Sequence, residues 1–105
     1  MTKNLHLYIV FDLTEINEHG SDPMDNVRVM TNKDLRNEFL WAYNHGIIPH
    51  ELIDDYKGDK DYSKENWNDL GNLSIGTMID MLNDIVNYEC GTGYYIKETD
   101  IEIGG

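Results

Sequence analysis

Four histidines (His6, His19, His45 and His50), twenty carboxylates and a single thiol, Cys90, are the side chains with the means to do chemistry. Their spacing argues against most of it. His45 and His50 lie five positions apart across Gly46 and Pro49, so their rings do not share one helical face as a zinc-protease motif requires. They read instead as surface or capping histidines. Asp59, Asp61, Ser63 and Glu65 repeat oxygen ligands at alternate positions, like the opening of an EF-hand calcium loop. The loop then departs from that pattern, with Lys64 where the sharp turn needs glycine and Leu70 where a bidentate Glu belongs. Gly91, Thr92 and Gly93 follow a helical pattern rather than open one, which excludes a phosphate-cradling loop. Cys90 sits beside Glu89 and meets no Lys or Arg before Lys97, a setting that does not favour a thiolate nucleophile. The expectation is no catalytic residue, no metal and no cofactor. The alternative enzyme would be a small metal-dependent protein built on His45, His50 and the loop from Asp59 to Glu65.

What remains is charge. Twenty Asp and Glu stand against eight Lys and Arg, a net charge of −12 over 105 residues. Such an excess repels nucleic acid and anionic membranes, because phosphate binding depends on Lys and Arg displacing counterions. A macromolecular partner is expected to be basic. The acids are also unevenly distributed. Asp12, Glu15, Glu18, Asp22 and Asp25 lie in a stretch without Lys or Arg, and Lys97 is the only base between Asp80 and Gly105.

The elements that must position these groups follow from periodicity. Leu5 to Leu13 alternates, with Leu5, Leu7, Ile9, Phe11 and Leu13 on one side and His6, Tyr8, Val10 and Asp12 on the other, which predicts a strand. Turn formers between Asp12 and Asn26 predict a long loop, and Asn26 to Met30 a short second strand. Thr31 or Asn32 caps a helix carrying Leu35, Phe39, Ala42 and Tyr43 inward until Gly46 stops it. Pro49 opens a second, short helix with Leu52, Ile53 and Tyr56, and Lys57 to Asn66 reads as a solvated loop whose far end Trp67 and Leu70 anchor. The longest helix is predicted from about Leu73 to Glu89. Its inward stripe is Ile75, Met78, Ile79, Leu82, Ile85 and Val86, with Asp80, Asn83, Asp84 and Asn87 opposite. Gly93 to Ile103 returns to an extended pattern. The predicted fold is one α+β domain over residues 1–105, a small three-stranded antiparallel or mixed sheet with about three helices packed on it.

In the last strand Tyr94, Ile96, Glu98, Asp100 and Glu102 share one side, at a pitch of about 6.6 Å between alternate residues. DNA carries phosphates every ~3.4 Å of axial rise on each strand, so such a row can meet cations kept for phosphate. Asp80 and Asp84, one helical turn apart, add a second row if their helix face lies beside the strand. Tyr94, Tyr95, Tyr8 and Tyr62 are the candidate aromatic anchors. Acidic residues on an edge strand also have a plainer use, keeping it from pairing with another chain and keeping the surface soluble.

Small size, strong acidity, a single domain and the absence of a catalytic motif resemble the inhibitors encoded by bacteriophages and mobile elements, the anti-CRISPR and anti-restriction proteins that include DNA mimics. The resemblance is one of type, across the whole chain. It implies a non-enzymatic protein that blocks a nucleic-acid-binding host factor, such as a CRISPR or restriction nuclease, by occupying its basic groove. The implied partner surface would be met by Asp12, Glu15, Glu18, Asp22, Asp25, Asp80, Asp84, Tyr94, Glu98, Asp100 and Glu102. No apolar run approaches the ~20 residues of a membrane span, and no signal-peptide pattern precedes the first strand, so a cytoplasmic location is expected, in the host cell if phage-encoded. The competing expectation is a structural or assembly protein that self-associates, as a homodimer for example, or docks through Trp41, Trp67 and the tyrosines, with acidity serving solubility alone.

Overall fold

The computed structural model describes residues 3–13, 27–89 and 91–103. The fold is α+β. Strands β1 (Lys3–Asp12), β2 (Val27–Met30) and β3 (Tyr94–Ile103) form an antiparallel sheet in the order β2-β1-β3. Between β2 and β3 the chain forms helices α1 (Asn32–Asn44), α2 (His50–Gly58) and α3 (Ile75–Asp84), with short 3-10 turns at Lys60–Tyr62, Leu70–Asn72 and Ile85–Asn87. No helix among the described residues is long and apolar enough to cross a membrane.

Local chemistry fixes the helix ends. Thr31 caps α1 through a reciprocal capping box with Asp34, and Gly46, at φ 73°, turns the chain away after it. Pro49 is the N-cap of α2, one position before the expected first turn, and Asp59 ends that helix. Ser74 caps α3 by accepting from the Thr77 N–H. The predicted helix from Leu73 to Glu89 is therefore shorter. Leu73 is a buried residue ahead of the cap, and the 3-10 turn after α3 swings Val86 outward to 44% exposure instead of into the expected stripe. Met81 takes a fully buried place in the core that the sequence reading did not assign to it.

The core lies between the three helices and one face of the sheet, where Leu35, Phe39, Leu52, Met78 and Leu82 meet Tyr8, Val10, Met30, Tyr94 and Ile96. Alternation alone does not say which side of the first strand is buried. On the more apolar side Leu5 is 43% exposed, Ile9 and Phe11 are half-buried and Leu7 is buried at 9%, but none of them joins that core, whereas Tyr8 and Val10 of the other side lie within it. The reason lies in the partners. The register sets Val10 beside Ile96 and Tyr8 beside Met30, giving that face an apolar patch across the whole sheet, and the Tyr8 hydroxyl remains satisfied by donating to Asn32 Oδ1 at 2.7 Å.

Candidate acidic interface

Asp80, Asn83, Asp84 and Asn87 recur at helical spacing and form the polar stripe of α3 and the turn after it. Asn83 fixes that stripe in place. Its Oδ1 accepts the Ile96 N–H at 2.8 Å, so the stripe runs along the outer edge of β3. Two and four residues beyond Ile96, on the same side of the strand, come Glu98 and Asp100 with side chains 56% and 67% exposed. The Asn83 bond is the link between the helix row and the strand row.

The carboxylates of the helix row are held by phenols. Tyr62 donates to Asp80 at 2.9 Å, Tyr56 to Asp84 at 3.2 Å, and Tyr88 to Asp55 of α2 at 2.6 Å. The Tyr56 and Tyr62 rings pack 4.7 Å apart, and with Asp80, Asn83 and Asp84 they line a shallow depression of about 360 Å³. Hydrogen bonding to Asp80, then burial, pushes the Tyr62 phenol up to about 12, and the bond to Asp55 does the same for Tyr88, also to about 12. Burial and the neighbouring Asp84 push Tyr56 up as well. Each phenol therefore stays neutral in ordinary conditions. A neutral donor orients a carboxylate without cancelling its charge, which an ammonium partner would do.

Among the described residues, His6 and Arg28 do pair with acids. His6 projects between Glu98 and Asp100, its Nδ1–H donating to Asp100 at 2.6 Å with Nε2 3.5 Å from Glu98. Arg28 binds Asp12 at 2.9 Å and Glu38 at 3.1 Å. Among the described residues no lysine forms an ion pair with Asp55, Asp80, Asp84, Glu98 or Asp100. Lys97 points to the opposite face of the sheet, over the Tyr95 ring at 5.5 Å.

In comparisons with protein-family models, curated proteins and solved structures, the chain matches none.

Of the residues expected at a partner surface, Asp80 and Asp84 share the depression on α3, and Glu98 and Asp100 flank His6 on β3, the strand that Asn83 ties to that helix. Two expectations are corrected. Asp12 is not unopposed, because the register that sets Arg28 against Val10 brings the guanidinium to it diagonally on the same face. Tyr94 is no exposed anchor. It is 2% exposed beneath the helices and donates to Glu38 at 2.7 Å, while burial, followed by that bond, raises its phenol far above the ordinary value. Tyr8 is equally buried, and Tyr95, at 51% exposure, lies on the opposite face. Glu15, Glu18, Asp22 and Asp25 lie outside the described residues, as does the Glu102 side chain. The calcium-like loop is put to structural use, since Asp59 caps the Asp61 N–H and Glu65 accepts the Ser74 N–H.

Asp55, Tyr56 and Tyr88 were missed as parts of this surface, while Asn83 was placed on the polar side of the helix without its bond to the strand. Each hydroxyl and its carboxylate are separated by 18 to 33 positions, and no local spacing reports such pairs.

Proposed function

We propose that this chain is a non-enzymatic binding protein that presents the acidic face of α3 and β3 to a basic, nucleic-acid-binding surface of a host factor, displacing the nucleic acid. One observation carries the proposal: Asp55, Asp80 and Asp84 are oriented by Tyr88, Tyr62 and Tyr56 instead of being neutralised by lysine or arginine. Preset carboxylates lose little side-chain freedom on binding, which lowers one of the main costs of association. The depression that Tyr56 and Tyr62 line with Asp80 and Asp84 offers an arginine both ring surface and carboxylates, the two kinds of group a guanidinium stacks on and pairs with. Glu98 and Asp100 extend the row along the strand. Exposed pairs contribute at most ~1 kcal/mol each, so affinity has to come from several pairs acting together. A CRISPR or restriction nuclease is the class of partner that the likeness to phage inhibitors suggests.

The test is inhibition of such nucleases in a panel, with duplex DNA as competitor. A partner whose DNA binding is lost at stoichiometric protein, and regained with excess duplex, supports the proposal. A partner that binds this chain and DNA at the same time contradicts it.

A further inference from the structure

The sheet has two outer edges, and they are treated differently. In β3, the Ile96 N–H turns outward to Asn83, and the Leu13 N–H donates to the Gly93 carbonyl at 2.9 Å. These bonds place the hydrogen-bonded pairs of β1 and β3 at odd-numbered residues such as Ile9 with Lys97. The outer edge of β3 is accordingly that of Ile96, Glu98 and Asp100, occupied by Asn83 at one end and guarded by carboxylates beyond, a common protection against strand addition.

The same alternation turns the backbone groups of Tyr8 and Val10 toward β2, where they meet Met30 and Arg28. The N–H and C=O of Val27 and Val29 therefore face out of the sheet, about 6.6 Å apart, with no described residue across from them. Beside this edge runs an open groove of about 620 Å³ between β2 and α1, whose lining includes Arg28, Val29, Asp34, Glu38 and Trp41. Val29 is 61% exposed. Trp41 is 41% exposed, its ring stacked on His45 at 4.4 Å.

We infer that the outer edge of β2 takes an extended, cationic segment of a partner protein as an added strand. Outward backbone groups at strand spacing call for another strand, since a helix has no free groups to offer them. In such a strand, residues opposite Arg28 or Met30 would point to the helix side, toward Trp41, and the residue opposite Val29 to the open face. Charge selects the occupant. Arg28 is already shared by Asp12 and Glu38, Asp34 adds a further carboxylate to the rim, and the chain as a whole carries −12. A second copy would bring the same excess, whereas Lys or Arg alternating with apolar residues complements the groove. This inference does not depend on the acidic face of α3 and β3, which lies at the other edge of the sheet.

The experiment uses the full chain, labelled with nitrogen-15, and a set of acetylated heptapeptides in which Lys or Arg alternates with Val, Leu or Phe. At saturating peptide, the Val27 and Val29 amides are expected to exchange at least tenfold more slowly and the Trp41 indole signal to shift. Val29→Pro removes an N–H that no described residue accepts, and is expected to weaken binding at least tenfold with the melting temperature nearly kept. If that variant unfolds, peptides N-methylated at alternate residues supply the same control from the other side and should fail to protect. Unchanged exchange at Val27 and Val29 would overturn the inference, as would equal protection by peptides with Glu in place of Lys or Arg. Concentration-dependent protection without peptide would assign the edge to a second copy and also overturn it. Peptide signals confined to Asp80, Asp84 and Glu98 would overturn it while leaving the acidic-face proposal standing.

Discussion

Glu38 has an exposure of only 11% and serves two donors, the Tyr94 hydroxyl and the Arg28 guanidinium. Glu38→Ala strands the buried Tyr94 hydroxyl, while the half-exposed Arg28 keeps Asp12, and is expected to destabilise the fold by about 1–3 kcal/mol in denaturant titration, because a buried donor left unsatisfied costs more than its bond contributes. Glu38→Gln should recover part of that loss. The phenols on the acidic face give a second prediction at this scale. Folding holds the Tyr62 and Tyr88 protons up to about pH 12, whereas the unfolded chain releases them near the ordinary phenol value of ~10. Between those limits the folded state binds more protons, so stability is intact below about pH 10 and falls as pH rises toward 12. Melting temperatures across that window should decline less steeply in Tyr62→Phe and Tyr88→Phe than in the parent chain. The carboxylate stripe of Asp80 and Asp84 was legible in the sequence because helical spacing displays it. The phenols that hold it were not, because pairs such as Asp55 and Tyr88 are joined by the packing of α2 against the turn after α3.

Helix α1 was the most legible element. Thr31, Asp34 and Gly46 punctuate it, and Leu35, Phe39 and Ala42 are all fully buried at helical spacing. The strands were legible in extent and not in orientation. Period two says that Tyr8 and Leu7 point opposite ways, but the buried side is settled by the strands on either side and by a partner, Asn32, for the tyrosine hydroxyl. The junction from α3 into β3 carries the element-scale predictions. Gly93 has φ 137°, and a Cβ there would lie 3.2 Å from the Val86 nitrogen and 3.4 Å from Ile85 Cβ. Gly93→Ala is therefore expected to cost about 1–3 kcal/mol in thermal or chemical unfolding, through strain at a backbone conformation that L residues avoid. Asn83→Ala removes the acceptor of the Ile96 N–H, and should cost about 1–2 kcal/mol and speed amide exchange at Ile96. If that variant also weakens partner binding, the docking of the α3 stripe on the β3 edge is part of the interface as well as of the fold.

At the scale of the whole molecule, the charge of −12 follows from composition, and its arrangement follows from topology. A last strand returning beside the first, with Asn83 of α3 bound to its outer edge, sets the helix acids Asp80 and Asp84 on the element next to the strand acids Glu98 and Asp100, while Lys97 is turned to the other face. Contacts of this kind are screened over ~8 Å at physiological ionic strength, so binding through this face must weaken with salt. The most direct measurement is the affinity for a captured nuclease partner across a salt series, for the parent chain and for a variant carrying D80N, D84N, E98Q and D100N. A steep fall in affinity with salt is expected for the parent, and for the variant at least a tenfold weaker affinity at low salt with a shallower fall. Equal affinities with the same shallow salt dependence in both proteins would contradict binding through this face.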